Sequence, residues 1–391
     1  MGGYKHFRPA VKYVSRKTAV QKLNVSEKQF DKLSVMLGIY PVVADSKNCY
    51  DKVDGWYYRI EDVKTMFYSE TYGILNRNLK KEAKRQKMLK FQQIERASKV
   101  IDEEFDLIDL VKQKYGSLGQ SVDDLGNTLK NLYIIDLLSI DYVKEELESF
   151  RKFIIERKLL SKAFMSKKGI YFGFNVEKII VCWMVPYPGA NLADFVEEKV
   201  DSPDAKTVCN FDFLDFGSLS EEESEAAEIT HTNSPDKLDI SLLKYASPLL
   251  KIHLKLCVHK FGILYPKENG KKAGIFKNMR FFIDVKSISE QIAFVILSLD
   301  GEVASYGQAK FIITETVDAI DPENIYLQPQ YVFDCLNQSK ILPYDLYFVG
   351  KELPPHISPF PNAIDTIDSR ALKLLSNKKK YSILDRVEAL H

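Results

Sequence analysis

The chain has 391 residues, of which 45% are hydrophobic and 12% aromatic, so it is long enough for two or three packed domains and too apolar for a disordered protein. Its five cysteines are scattered without a CxxC pair, which argues against a disulfide framework or a zinc finger and favours a reducing compartment. The net charge of +1 conceals two opposed segments, because residues 1–100 hold 21 Lys and Arg against 10 Asp and Glu, whereas residues 190–240 hold 14 acidic residues against three lysines.

Residues 1–22 contain six basic residues, no acidic residue and three aromatic residues. Apolar residues show no regular spacing there, so we predict an extended basic arm. Lysine and arginine neutralise phosphates and aromatic rings stack on unpaired bases, which makes this arm a candidate RNA-binding segment. The alternative is a solvated, disordered terminus. The candidate RNA contacts in the arm are Lys5, Arg8, Lys12, Arg16 and Lys17.

A helix is predicted for residues 26–37, with Ser26 as its cap and Gly38 at its end. Residues 50–60 predict a strand, and residues 76–114 predict one long helix or two shorter ones. The first part of this helical region is strongly basic, since only Glu82 offsets seven cations between residues 77 and 90. A solvated charged face would explain the pattern, but we favour a polyanion partner; residues 80–87 also fit a nuclear import signal. The candidate RNA contacts are Arg77, Lys80, Lys81, Lys84, Arg85, Lys87 and Lys90.

Residues 121–165 predict helices that end in the segment 159–164, and residues 168–172 and 178–185 predict paired strands with a turn near Asn175. The most apolar stretch, 179–185, is too short to span a bilayer. An apolar helix is predicted for residues 238–264. In this helix, His253, Cys257 and His259 are the best candidates for metal ligands in the sequence. No fourth ligand follows at the usual spacing, so we favour buried helix packing for these residues.

The acidic stretch 190–236 lies between these strands and this helix. We interpret its residues 195–236 as a mobile, dispensable insertion, because few apolar groups are available there to offset the entropy of ordering. The alternative is that its one apolar run docks onto the protein or a partner as an acidic and aromatic motif. That run consists of Phe211, Phe213, Leu214 and Phe216.

Residues 271–360 predict a small α/β module. A strand over 277–285 leads into a helix with Ser287 and Glu290 as a capping box, and Gly301 ends this helix where a positive φ is expected. Short strands are predicted at 302–304, 311–314 and 325–327. Pro329 then opens a second helix, since its fixed φ suits the first helical position. The predicted core residues of the module are Ile292, Ile296, Gly301, Tyr331, Val332 and Cys335.

This module resembles a BRCT domain, which is a docking module. Tyr331 stands where such domains usually have a tryptophan, and Asp300 with Gly301 stands where they often have two glycines. The phosphopeptide-binding BRCT domains have a Ser or Thr followed by Gly after the first strand. Here the strand ends in Asp284, Val285 and Lys286, so constitutive docking to protein or rRNA is expected.

The resemblance extends over most of residues 1–188 and 238–360, which are similar to the pescadillo family of nucleolar ribosome-assembly factors. The co-linear motifs that carry it are Ser15-Arg16-Lys17, Leu37-Gly38-Ile39-Tyr40-Pro41, Lys168-Gly169-Ile170-Tyr171, Trp183-Met184-Val185-Pro186-Tyr187 and Leu353-Pro354-Pro355-His356-Ile357-Ser358-Pro359-Phe360. The departures are the acidic stretch 190–236, a nearly absent acidic linker before the BRCT module and a short C-terminal tail.

The resemblance implies a non-enzymatic scaffold in large-subunit ribosome biogenesis, without cofactor, metal or membrane. It implies binding to precursor rRNA of the large subunit, to the WD-repeat assembly factors of the PeBoW complex and to other preribosomal proteins, and a location in the nucleolus and nucleoplasm. The alternative is a nuclear BRCT adaptor that binds phosphoproteins in DNA repair or chromatin. A nuclease acting on rRNA is a third hypothesis, which lacks clustered acidic ligands on ordered elements.

The predicted fold class is an α+β N-terminal domain, mostly helical, followed by an α/β BRCT domain with a small parallel sheet flanked by helices. We predict a basic N-terminal arm over residues 1–22 and a pescadillo-like domain over 23–268, with its acidic insertion at 190–236. The BRCT domain is placed at 271–360 and a polar tail at 361–391.

Overall fold

The computed structural model describes residues 12–42, 50, 57–166, 169–176, 179–188, 240–266, 274–316, 321–356 and 358–360. These residues fall into two compact units, one made of 12–116 with 240–252 and the other of 117–188 with 253–360. None of the helices in the described ranges combines the length and apolar character that a membrane crossing requires.

The first unit is mainly helical. Its elements in chain order are β1 (Tyr13–Ser15), α1 (Arg16–Leu23), α2 (Glu27–Leu37), β2 (Tyr57–Arg59), α3 (Ile60–Tyr68), α4 (Glu70–Lys90), α5 (Ile94–Ser98) and α6 (Leu107–Lys114). The predicted helix over 26–37 is confirmed as α2: Ser26 and Gln29 form its capping box, and Gly38 ends it with a φ of 65°. The strands β1 and β2 pair antiparallel, with Tyr13 opposite Arg59.

The prediction of an extended arm over residues 1–22 is wrong for the part of this segment that the structure describes. Residues 13–22 form β1 and most of α1, and Val14, Ala19 and Leu23 are fully buried. The Ser15 hydroxyl caps α1 by accepting from the Thr18 N–H. The apolar residues of this segment show no regular spacing because the chain changes from strand to helix within it. Neither the two-residue repeat of a strand nor the repeat of about 3.6 residues in a helix is therefore long enough to be recognised. Residues 1–11 lie outside the described ranges.

The second unit begins with α7 (Leu118–Asp123), α8 (Leu125–Leu137) and α9 (Lys144–Arg157), followed by β3 (Leu160–Met165), β4 (Gly169–Val176) and β5 (Ile179–Pro186). The strands form an antiparallel sheet in the order β3-β4-β5. α8 is buried on nearly all its faces, and its buried residues include the polar Thr128, Lys130 and Asn131. On the sheet, Trp183 is fully buried between Phe150, Phe172 and Phe174.

Two details of this sheet correct the sequence-based expectation. Residues 160–164, which were predicted as a helix end, form β3, because Lys158 takes a left-handed φ of 52° and stops α9. The strand β4 also runs through Asn175 to Val176, so the connection to β5 lies beyond the predicted turn position.

The predicted apolar helix over 238–264 is confirmed as α10 (Ile240–Leu264), which belongs to the first unit up to residue 252 and to the second from residue 253. The BRCT-like part follows as β6 (Arg280–Asp284), α11 (Ser289–Ser298), β7 (Glu302–Val303), β8 (Phe311–Thr314), β9 (Ile325–Leu327) and α12 (Gln330–Gln338). Its strands pair in parallel in the order β7-β6-β8-β9, which confirms the predicted small parallel sheet with flanking helices.

Two predicted features of α11 differ from the structure. Its N-cap is Ile288 and no side chain caps it, because the Glu290 carboxylate pairs with Arg151 instead of completing a capping box with Ser287. At its end, the left-handed residue is Asp300, with a φ of 65°, and Gly301 follows with an ordinary φ.

The boundary predicted between residues 268 and 271 does not separate the compact units. Residues 117–188 pack in the same unit as the BRCT-like part, and a domain of 23–268 would cut across both units. The reason is packing: α12 contacts β3 and α9 contacts α11, so the sheet and the BRCT-like part share one core. The predicted insertion 190–236 and tail 361–391 lie outside the described residues.

Candidate nucleic-acid interface

The basic residues near the N-terminus have different environments. Arg16 is part of the fold, since its guanidinium donates to Asp31 at 2.8 and 2.9 Å and to Glu27 at 2.6 Å. Burial opposes the charge on Arg16, but these hydrogen bonds dominate and leave its pKa raised. Lys12 and Lys17 are exposed. Lys5 and Arg8 lie outside the described residues.

The long helix α4 carries the second basic segment on two adjacent stripes. Arg77, Lys81 and Arg85 repeat every four residues and face the acidic loop that follows α5. Arg77 donates to Glu103 at 2.6 Å, Lys81 contacts the same carboxylate at 3.0 Å, and Arg85 contacts Asp102 at 2.8 Å. The Arg77 and Lys81 hydrogen bonds lower the pKa of Glu103. Arg77, Lys81 and Arg85 therefore connect α4 to the loop that follows α5.

The other stripe is open to solvent. Lys80, Lys84 and Lys87 stand at i, i+4 and i+7, and Lys90 continues them at the end of the helix. All four lysines are exposed, and none has an ion-pair partner among the described residues. We call these four residues the lysine stripe. From Lys80 to Lys90 it is about 15 Å long at 1.5 Å per residue, enough for contacts with successive phosphates.

The structure therefore divides the seven predicted cations of α4 into two groups. The sequence suggested that only Glu82 offsets them, but Glu70, Asp102 and Glu103 also do so. Sequence spacing could not show this, because two of these acids follow α4 and face it only after the chain reverses. Helical spacing alone predicts two stripes of basic residues on α4. It does not predict which of the two stripes forms ion pairs.

His253 and Cys257 of α10 are buried and form hydrogen bonds typical of a packed helix, whereas His259 is exposed, so the expected buried packing is wrong for His259. The His253 ring nitrogens lie 2.9 Å from the Ser121 hydroxyl and 2.8 Å from the Thr128 hydroxyl. The Cys257 thiol lies 3.2 Å from the same Ser121 hydroxyl, and burial raises its pKa to about 11. Within the described ranges, no group of three or more His, Cys, Asp or Glu side chains is placed to hold a metal ion.

The N-terminal end of α11 faces a cavity of about 270 Å³ lined by residues of α8, α9 and the BRCT-like part. Arg151 reaches from α9 to the Glu290 carboxylate at 3.0 Å. Glu290 thus supplies a negative charge at the first turn of α11, where the helix dipole favours one. Whether this part of the chain docks without phosphorylation stays a prediction.

The core residues predicted for the BRCT module lie together. Ile292, Ile296, Tyr331, Val332 and Cys335 are all fully buried. Gly301 is also buried and packs beside Ile296 and Phe276.

A family profile and several known proteins match most of this chain in sequence. The family profile described as Pescadillo N-terminus matches residues 4–216. A pescadillo homologue from Nematostella vectensis is 25% identical over 420 residues, covering 90% of this chain and 80% of that protein, and one from Caenorhabditis elegans is 26% identical over 405 residues, covering 90% and 75%. One from Xenopus laevis is 22% identical over 449 residues, covering 95% and 76%.

Among solved structures, the C-terminal BRCT domain of human XRCC1 matches with 20% identity and a TM-score of 0.19, covering 21% of this chain and 99% of that one. The family profile covers more than half of the chain, and the relatives match along nearly all of it. The chain belongs to the pescadillo family.

Proposed function

We propose that this chain is a non-enzymatic scaffold in the assembly of the large ribosomal subunit, where it binds precursor rRNA through the lysine stripe. Membership of the pescadillo family supports a role in ribosome biogenesis. The observation that carries the RNA-binding part is the set of exposed lysines on one face of α4, without acidic partners among the described residues. A polyanion is the ligand that such a stripe attracts most strongly.

RNA affinity measured across a salt series tests this proposal. The change is K80Q/K84Q/K87Q/K90Q, which removes the lysine stripe and leaves the paired stripe intact. The slope of log K against log salt is negative, and each lost phosphate contact should make it less steep by about 0.7, because fewer counterions are released from a single strand. Affinity at low salt should fall as well.

The matched control is K144Q/K152Q/K310Q/K340Q, which removes the same charge from exposed lysines of the second unit. Its salt slope should stay at the wild-type value. Equal slopes for the two quadruple variants would show that overall charge, and not the lysine stripe, attracts RNA, and the proposal would then be abandoned.

The proposed partners beyond rRNA are the WD-repeat assembly factors of the PeBoW complex and other preribosomal proteins, in the nucleolus and nucleoplasm. We expect the BRCT-like part to supply a docking point that does not depend on phosphorylation, because its first strand ends in Asp284, Val285 and Lys286 and lacks the Ser or Thr followed by Gly of phosphopeptide-binding BRCT domains. Sedimentation of a tagged chain from cell extract tests this. Co-migration with large-subunit precursors and WD-repeat proteins is expected, whereas retention on chromatin without rRNA would favour the nuclear adaptor hypothesis.

A further inference from the structure

The chain reverses direction after α4, and this reversal exposes a group of large apolar side chains. Gln92 takes a left-handed φ of 57°, and the Gln93 N–H donates to the Met88 carbonyl at 3.0 Å, so backbone hydrogen bonds fix the turn. α5 then packs back on α4. The side chains exposed around the reversal are Leu89, Phe91, Ile94 and Ile101, with exposed fractions of 44, 66, 70 and 76%. We call these four residues the hairpin tip.

The hairpin tip has the character of a docking surface. A single exposed apolar residue needs no explanation, but four within residues 89–101 make this reversal a candidate interaction site. Basic residues surround the tip in sequence: Lys87, Lys90, Arg96 and Lys99 are exposed and have no ion-pair partner in the part of the chain that the structure describes. The ligand that fits this surface is therefore both apolar and acidic.

RNA does not have this combination. Aromatic side chains such as Phe91 stack on unpaired bases, but Leu89, Ile94 and Ile101 are aliphatic and have no π-face to stack. Burying them against a polyanion would leave most of their surface in water. An acidic peptide with large apolar side chains covers both the apolar residues and the surrounding cations.

This chain contains such a peptide. In residues 211–216, three phenylalanines and a leucine alternate with Asp212 and Asp215, inside the segment 190–240 with its 14 acidic residues and three lysines. The peptide lies outside the described residues. The 22 residues that separate it from residue 188 can span up to about 75 Å, which is more than twice the diameter of a small domain, about 30 Å.

We propose that residues 211–216 dock on the hairpin tip of the same chain. Their phenylalanine and leucine side chains cover the exposed apolar side chains, and Asp212 and Asp215 pair with the surrounding cations. The docked peptide lies against Lys87 and Lys90 of the lysine stripe, so it competes with a polyanion for them. This competition rests on the proposed function, whereas the docking itself does not.

Hydrogen exchange of the full chain without RNA tests the docking. Amides of residues 211–216 should exchange about tenfold more slowly than those of the flanking acidic segment 220–236. The variant F91S/I94S should abolish this protection, because it removes apolar surface from the tip. These side chains are exposed, so the unfolding midpoint should not change; L89S/I101S tests the same surface independently.

The matched control is I341S/L346S, which alters two apolar residues of similar exposure, 51 and 50%, in the second unit. It should leave the protection of residues 211–216 intact. Exchange of 211–216 as fast as that of 220–236 in the wild type, or protection that survives both tip variants, overturns the proposal. Because RNA is absent, neither result bears on RNA binding by the lysine stripe.

Discussion

Tyr331 shows how a single residue fixes the core of the BRCT-like part. It is fully buried, its ring lies 6.3 Å from Phe276 in a stacked arrangement and 5.4 Å from Tyr347 edge-on. Among the described residues, its buried hydroxyl makes no hydrogen bond of normal geometry, and burial, together with the nearby Cys335 thiol, raises the pKa of Tyr331. The ring therefore contributes the packing of an apolar aromatic residue, in the position where BRCT domains usually have tryptophan.

Substitution of Tyr331 should separate the ring from the hydroxyl. Tyr331→Ala removes a large buried aromatic side chain and should lower the free energy of unfolding by about 3–5 kcal/mol. Tyr331→Phe removes only an unpaired buried hydroxyl and should leave stability unchanged or slightly higher. Urea unfolding of both variants measures this. A large loss for Tyr331→Phe would contradict the apolar role and indicate a hydrogen bond for the hydroxyl.

Gly301 is required for close packing rather than for a positive φ. A Cβ at this position would lie 2.6 Å from the Ile296 side chain and 3.1 Å from Phe276 Cβ. Gly301→Ala should therefore destabilise the chain by about 1–3 kcal/mol, the usual cost of overpacking. Gly262 in α10 is the matched control: no atom of the described residues lies within 4 Å of a Cβ there, so Gly262→Ala should stabilise by roughly 0.5–1 kcal/mol. Thermal unfolding that ranked the two variants in the opposite order would refute this interpretation.

At the scale of elements, the outer strand of the β3-β4-β5 sheet is completed by side chains of the BRCT-like part. The Ala163 N–H donates to the Asn337 side chain at 2.9 Å, and the Asn337 amide donates to the Ala163 carbonyl at 2.8 Å. The Met165 N–H donates to His356 at 3.0 Å, and the His356 ring stacks on Phe164 at 4.7 Å. Backbone groups that would otherwise form an exposed sheet edge are thus satisfied within the chain.

Loss of the Asn337 side chain should expose this edge. Asn337→Ala leaves the Ala163 N–H and carbonyl without partners and should cost about 1–3 kcal/mol of stability. It should also speed hydrogen exchange at Ala163. Gln338→Ala, at the next and exposed position of α12, should have no effect on either measurement. If exchange at Ala163 were the same in both variants, the edge would not depend on Asn337.

At the scale of the whole molecule, two ion pairs connect α9 to both ends of α11. Arg151 contacts Glu290 at 3.0 Å and Lys158 contacts Asp300 at 2.5 Å. Burial opposes ionisation of Asp300, but hydrogen bonds from Lys158 and the Gly274 N–H outweigh it and lower its pKa. These pairs join α9 to the BRCT-like part, and the lowered pKa of Asp300 makes the stability of this connection depend on pH.

The lowered pKa of Asp300 sets the direction of that dependence. Its contribution is present above the ordinary aspartate pKa of 3.8 and is lost as the pH falls through the lower folded value. Asp300→Asn should cost about 0.5–1 kcal/mol near neutral pH, because the pair is partly exposed. The difference from wild type should shrink below about pH 4. Unfolding of Asp109→Asn, which alters an exposed pair with Lys112, is the control and should match wild type throughout.

The sequence by itself determined the family, the helical character of the first unit and the BRCT-like order of strands and helices. These depend on local signals: caps such as Ser26, helical and strand periodicity, and Pro329 before α12. The residues predicted for the BRCT core also followed from spacing along α11 and α12. The expectation failed where local signals conflict, as in residues 13–22, where strand and helix follow each other within ten residues.

Only the tertiary structure decided which charges are free and where the compact units end. Arg77, Lys81 and Arg85 face acids that are distant in sequence, whereas the lysine stripe does not, and no spacing rule distinguishes them. The division of the chain likewise depends on Asn337 completing β3 and on α9 contacting α11. Such contacts join residues more than 100 positions apart, so their energies arise from packing that the local sequence does not encode.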